Sequence, residues 1–542
     1  MQIPKKPEHR QMFYWEIIEK CMESRESRSK IYAKLRSWYM FGTDFEGMTQ
    51  TPRYNKLNAH IQLLSSYLFS ADTVRFVIEL GAAAPKEELA KIHKMKRRLH
   101  DEWHDSRCDM FYDLALVWGL VYGTMLIKPL WKRGKVTPFL VYPHLFGVYE
   151  EHVNLLERQQ AFCEVYYATK TQLARDLEGH PNLDKILSTI PAAGEAETDM
   201  QLPSSVQNII INQSQPNVTG SVPGWWSGPD VIRSTPPADT VKLYELKVWN
   251  DEINDFQSVT VAEGGVVIFD RKNIGLPQQS GYVQVTPKPA GDYFWGESEI
   301  PPLVPLQSEF ASRIMKVENQ LDKIMNPPIA ITGYNGPGDE IMAAINSPGG
   351  FWGVDEAGAK FDKFTPPAPT EAMAYLHDLD GKFSEESGMS PTMAGLNQPG
   401  VRGRGQTDTL ARLGSSRIKK RAMIVEDSVE DFAGYILRLI QAFDTKPLEG
   451  PDGIFLPTQF TDDFTVRVDA HSNSPVFVED EKNLAFSLAE NKTITRSRLV
   501  QMIHPSMEQE ILAELEVMEK KEEEAQAKEQ ALAAVDASGK QA

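Results

Sequence analysis

Between positions 291 and 443, apolar residues recur at alternating three- and four-residue steps in three separate stretches, each fenced by glycine or proline. Leu306, Phe310, Ile314, Val317, Leu321 and Ile324 line one face of a helix that follows Pro301-Pro302 and ends at Asn326-Pro327-Pro328. Met373, Leu376, Leu379 and Phe383 repeat the pattern over 371–387, with Gly388 as a C-terminal stop. The strongest stretch holds Val425, Val429, Phe432, Ile436, Leu439 and Phe443, and extends upstream through Leu410, Ile418 and Ala422. It predicts a helix of more than about thirty residues, with Gly414 and Gly434 as kink points. Taken singly, each pattern is equally an ordinary core helix. Three of them joined by Gly/Pro-rich segments suit a repeated ring in which each helix packs on its equivalent in the next subunit.

At 542 residues the chain is too long for one simple domain. Its 57 basic and 75 acidic residues give a formal charge of -18, the reverse of what a static grip on phosphates requires. An acidic wall is compatible with a duplex that must slide. Cys21, Cys108 and Cys163 are widely spaced with no CxxC pair, so neither a disulfide framework nor a zinc site is expected. The start, Met1-Gln2-Ile3-Pro4-Lys5-Lys6, carries no secretory signal. The longest uncharged apolar run, 114–127, falls short of the roughly eighteen residues that span a bilayer, and reads as a buried helix passing into a strand.

The N-terminal region reads as helical over 12–40 and 54–70, with a β-like run at 74–80 and a further helix from Pro85 to about Arg107. A hairpin is expected where 126–131 and 136–142 flank Lys132-Arg133-Gly134-Lys135, with Pro129 confining the first strand to an edge. Strands are expected at 162–168, 243–249, 259–261, 266–269, 282–285 and 464–468. In one of them Tyr244, Leu246 and Val248 alternate with Glu245 and Lys247, and Glu263-Gly264-Gly265 makes a hairpin turn. Residues 188–239 turn to Ser, Pro, Gly, Asn and Gln around Trp225-Trp226, the signature of a long surface insertion. Within the Glu/Ala/Lys-rich end, 507–535, the part 520–529 has almost no large apolar residues and reads as a solvated helix or frayed tail. The fold class is α+β and multidomain.

Catalytic signatures are missing. No GxxxxGK[ST] loop occurs, so a P-loop motor is not expected, and the glycines of 400–405 do not match GxGxxG. His100 and His104 stand four apart on a helix, but no glutamate is placed for HExxH, and a solvated helix face is the better reading. No GxSxG elbow is present. No cofactor is expected, and the chain reads as a structural machine rather than an enzyme.

Several segments resemble the portal proteins of tailed bacteriophages, most of all those of short-tailed phages. They are Tyr54-Asn55-Lys56-Leu57, Val141-Tyr142-Pro143-His144-Leu145-Phe146, Phe294-Trp295-Gly296-Glu297-Ser298, Pro305-Leu306-Gln307 and Asn326-Pro327-Pro328. Their shared order spans roughly 54–498, leaving the insertion and the extreme C-terminus unmatched. The resemblance implies a wing over 1–290, a first stem helix at 291–326, a clip at 327–369 and a second stem helix at 370–388. A tunnel loop at 389–406, a long kinked helix at 407–443, a return to the wing at 444–474 and a helical crown with its tail at 475–542 complete the layout. It implies a dodecameric ring at one capsid vertex of the virion, assembled in the host cytoplasm, that passes double-stranded DNA. Terminase, tail adaptor, major capsid and scaffolding proteins would be its partners, and no membrane span is needed.

Candidate DNA-facing residues are then Asn397, Gln398, Arg402, Arg404 and Gln406. The two arginines are suited to transient phosphate contacts or to salt bridges with a neighbouring subunit. Tyr334, Asn335, Asp339, Glu340, Phe351 and Trp352 are the clip candidates for terminase and adaptor. Arg417, Lys420 and Arg421, followed by Glu426, Asp427 and Glu430, offer opposite-sign faces to set ring register, or else an ordinary solvated helix face. The competing functional reading is another ring-forming virion connector or scaffold without the DNA gate.

Overall fold

The computed structural model describes residues 1–23, 25–42, 54–71, 74–80, 86–171, 174, 240–263, 265–272, 276, 278–325, 329–332, 360–363, 367–389, 416–448, 454–468 and 484–489, with 493, 495, 496, 499, 500 and 515. In chain order they form α1 (Pro7–Met22), α2 (Arg25–Phe41), α3 (Lys56–Leu68), β1 (Phe76–Leu80), α4 (Lys86–Asp105), α5 (Cys108–Tyr122), β2 (Met125–Lys132), β3 (Lys135–Val141), β4 (Phe146–Val148), β5 (Ala161–Thr169), β6 (Thr240–Asn250), β7 (Asp255–Ala262), β8 (Val266–Lys272) and β9 (Val283–Val285). Then follow α6 (Val304–Met325), β10 (Ile329–Thr332), β11 (Lys360–Lys363), α7 (Thr370–Ser387), α8 (Ser416–Phe443) and β12 (Phe464–Val468). Helix and strand are mixed, as the α+β, multidomain reading expects. Two compact units result, one from 1–33, 61–299 and the described part of 402–542, the other from 34–60 and the described part of 300–401.

In the first unit, strands ordered β4-β5-β6-β7-β8 form an antiparallel sheet. Alternation gives this sheet two faces. Tyr14, Ile17, Ile18 and Cys21 of α1 cover Cys163, Val165, Leu246, Val248, Val259 and Val261 on one face. On the other, Phe162 and Phe256 pack with Leu126, Val141, Tyr282, Phe294 and Trp295. The motif that begins with these last two residues is held by backbone crowding. Gly296 donates its N–H to Thr124 Oγ1 at 2.8 Å, and a Cβ on Gly123, whose φ is +93°, would stand 2.0 Å from the Gly296 carbonyl oxygen. Only glycine fits at such a crossing.

A second sheet of this unit has the order β3-β2-β9. Pro129 therefore lies on its middle strand, not on an edge strand as the sequence led us to expect. The chain tolerates it because β9 pairs with Met125, Leu126 and Ile127 only, so the ladder on that side ends before the proline, where no N–H is required. The expected hairpin turn is present, with Arg133 at φ +54° and Gly134 at φ +77°. Strands β1 and β12 pair with each other, 384 positions apart at their closest register partners, Leu80 and Phe464, which ties the C-terminal region to this unit. Helix α8 runs unbroken through Gly434, so no interruption occurs there. Its apolar face is buried along its length, with Phe432 against Trp103 and the Tyr112 hydroxyl donating to the Val425 carbonyl at 3.0 Å. The expected upstream extension through Leu410 and Gly414 lies outside the described residues, as does the insertion 188–239.

The second unit is built on an antiparallel pair, α6 and α7. Gln320 Nε2 donates to the Pro367 carbonyl at 2.9 Å, and the Arg313 guanidinium lies 5.4 Å from the Tyr375 ring centroid. At the far end of the pair from Gln320, the buried Gln307 accepts the Lys56 N–H at 3.2 Å and donates to the Tyr54 carbonyl at 2.8 Å. Lys56 also ion-pairs with Asp380 and sits 3.9 Å from the Phe310 ring centroid. Strands β10 and β11 form an antiparallel ribbon between the two helices in sequence. Gly388 caps α7 in the left-handed conformation, φ +71°, as its position predicts.

Candidate functional site

The α6–α7 pair shows how a periodic sequence is used when one partner helix cannot cover the stripe it faces. The 22-residue α6 buries only Gln307 and Val317, and the 18-residue α7 only Leu379 and Phe383. Ile314, Leu321 and Met325 fall on one flank of α6, seven and four residues apart, beside the row that meets α7. Leu321 is 42 % exposed, Met325 79 % and Met373 of α7 55 %. Such side chains are left in water unless another surface covers them.

The charged candidates of α8 divide. Arg421 turns inward to Glu299 at 3.0 Å. Glu430 accepts the Val468 N–H at 2.9 Å, and Glu426 is buried. Lys420 and Asp427 are exposed, while the Arg417 side chain is outside the described set. Burial and the carboxylates of Glu157, Asp427 and Glu430 push Asp431, on the same helix, up to about 6. The tunnel-loop candidates Asn397, Gln398, Arg402, Arg404 and Gln406 lie outside the described residues. So do the clip candidates Tyr334, Asn335, Asp339, Glu340, Phe351 and Trp352.

His100 is half-buried, edge-on to Phe76, with the His104 ring 4.9 Å away. Burial first, then His104 and Arg75, lower its pKa and hold it neutral, so only His104 stands on a solvated face. Among the described residues no group of His, Cys, Asp and Glu is arranged to hold a metal ion, and no helix is long and apolar enough to cross a membrane. The three cysteines are free and buried.

The sequence concealed one arrangement altogether. Lys128 Nζ reaches Glu164 and Glu245 at 2.6 Å each, and the Tyr282 hydroxyl donates to Glu164 at 2.6 Å. Lys247 donates to Ser258 Oγ beside them. Burial alone would raise the Glu245 carboxyl, but Lys128 and Lys247 outweigh it and hold it below the ordinary carboxylate range. The only hint in the sequence is a lysine inside the apolar run that follows α5. No protein-family profile matches the chain, and no curated protein is significantly similar to it.

Proposed function

We propose that the chain is the subunit of a portal-type ring, the conduit for double-stranded DNA at a unique capsid vertex during genome packaging and ejection. The observation that carries this reading is the second unit. A helix leads into an antiparallel strand ribbon and back through a second helix, and the pair leaves Leu321, Met325 and Met373 in water. Side-by-side copies would cover those side chains, and a head-to-tail contact repeated around an axis closes into a ring. In this reading residues 1–290 and 444–474 are the wing, α6 and α7 are the stem, α8 belongs to the long helix, and β10–β11 is the base of the clip that docks terminase and tail adaptor. Arg402 and Arg404 then follow the moving phosphates, and the protein turns over no substrate.

Negative-stain images of the purified protein test the proposal. Rings seen down their axis, with a central hole as wide as duplex DNA, are the expected result. A solitary particle without a bore under assembly conditions overturns it.

A further inference from the structure

Two of the three free cysteines meet in one layer of the first unit although they are far apart in the chain. Cys21, in the last turn of α1, and Cys163, on β5, are both buried in the core between that helix and the five-stranded sheet. The strand register sets how they approach. Cys163 pairs with Gly147 across β4 and β5, and partners in an antiparallel pair hold their side chains on one face about 5 Å apart. Phe146, Val148 and Phe162, which flank this pair, pack on the opposite face, so the Cys163 thiol and the bare side of Gly147 both look towards α1.

Cys21 fills the space over that glycine. A Cβ on Gly147 would run into the Cys21 carbonyl oxygen and stand 2.8 Å from its carbon, so glycine is what lets the helix end come down onto the strands here. Burial first pushes the Cys163 thiol up, and next comes Cys21, ahead of Glu164, its own neighbour in the chain, and of Glu245. Charge coupling falls with distance, so the Cys21 sulfur is the near one. Cys108, at the start of α5, lies beside Glu102 and Asp109 and has no part in this core.

We propose that Cys21 and Cys163 form an intrachain disulfide that staples the end of α1 to β5 when the chain meets a disulfide oxidant. With oxidised glutathione, one cysteine attacks the glutathione disulfide and releases one glutathione thiol. The second cysteine then attacks the mixed disulfide and releases the other, which leaves the Cys21–Cys163 bond, two reduced glutathiones and no net change in protons. Burial keeps both thiols protonated, that of Cys21 pushed up to about 12, so the exchange runs when the helix end lifts and wets them, not in the closed layer. The staple closes a long loop of the unfolded chain and makes the oxidised form the more stable one. It lies within the first unit and does not depend on the ring reading.

Refolding the full chain from urea in a buffer of reduced and oxidised glutathione tests it, because burial then no longer limits access to the thiols. Non-reducing peptide mapping should find one intrachain link, between the peptides that hold Cys21 and Cys163, with Cys108 unlinked. The linked protein should melt several degrees above the same protein after reduction, and Cys21→Ala should lose both the link and that difference. If the chain does not refold, native protein held with oxidised glutathione at mildly alkaline pH is mapped over days and read in the same way. Folded protein without a link between Cys21 and Cys163, a link through Cys108 in its place, or a linked protein that melts no higher than the reduced one overturns the proposal.

Discussion

Replacing Lys128 by Met removes the cation that bridges two carboxylates, Glu164 and Glu245, inside the first unit. At an effective dielectric of about 20, each 2.6 Å contact is worth about 6 kcal/mol of attraction, most of it offset by taking three charges out of water. The side chains of Lys128, Glu164 and Glu245 are 11 %, 12 % and 23 % exposed, too little for solvent to replace the lost partner. Breaking such a pair from one side leaves uncompensated buried charge and costs about 3–5 kcal/mol, a drop in Tm on the order of 5 °C for a unit of this size. Circular-dichroism melts of native protein, Lys128→Met and the triple variant with Glu164→Gln and Glu245→Gln check this. The triple variant should recover most of the loss. The acid side has a defined sign. Because the folded Glu245 carboxyl lies below its unfolded value of about 4.3, its contribution is present above that pH and lost as pH falls through the folded value. Lys128 is shifted upward, Glu245 and Glu164 outweighing burial, so its contribution is lost only as pH rises through its folded value, above about 10.4. Lys128→Met should therefore flatten the acid limb. A single variant melting within about 1 °C of native, or a triple variant no better than the single, would refute the argument.

Two glycines should respond in opposite directions. Gly123→Ala meets backbone at 2.0 Å from a φ of +93° and should cost well over 3 kcal/mol in a melt, whereas Gly434→Ala points into open space on α8 and should stabilise by up to about 1 kcal/mol. Met325→Lys combined with Met373→Lys should leave the melt of the isolated chain within about 0.5 kcal/mol yet abolish rings in light scattering; intact rings would mean that this surface is not between subunits. Asp431 is raised to about 6, so protonation favours the folded form, and stability should climb as pH falls from 7 towards 5. Its side chain keeps contact with solvent, so the gain is roughly 0.5 kcal/mol, and Asp431→Asn should remove that slope in pH-dependent melts.

Local rules written in the sequence settled the helices. The spacing of Leu306 to Ile324 and of Met373 to Phe383, with Pro327 and Gly388 after them, marked α6 and α7 almost to the residue, because helix starts and stops depend on backbone donors and on φ. The β2–β3 turn was equally legible from Arg133-Gly134, where the register needs left-handed backbone. Alternation in β6 separated Leu246 from Glu245 correctly but could not say what lies over the polar side. Packing of β2 and Tyr282 there buries Lys247 and most of Glu245, turning an apparently solvated row into an ion network. Pro129 reads the same way, since its tolerance depends on where β9 ends, a fact held by residues more than 150 positions away. The inward turn of Arg421 and Glu430 likewise rests on Glu299 and Val468, each far off in the chain. Periodicity and backbone chemistry act over a few residues, so sequence alone determined the elements, their ends and their apolar faces. Which polar groups are paired, which are buried and which apolar flank stays uncovered depend on contacts between distant segments, and only the tertiary structure decided them.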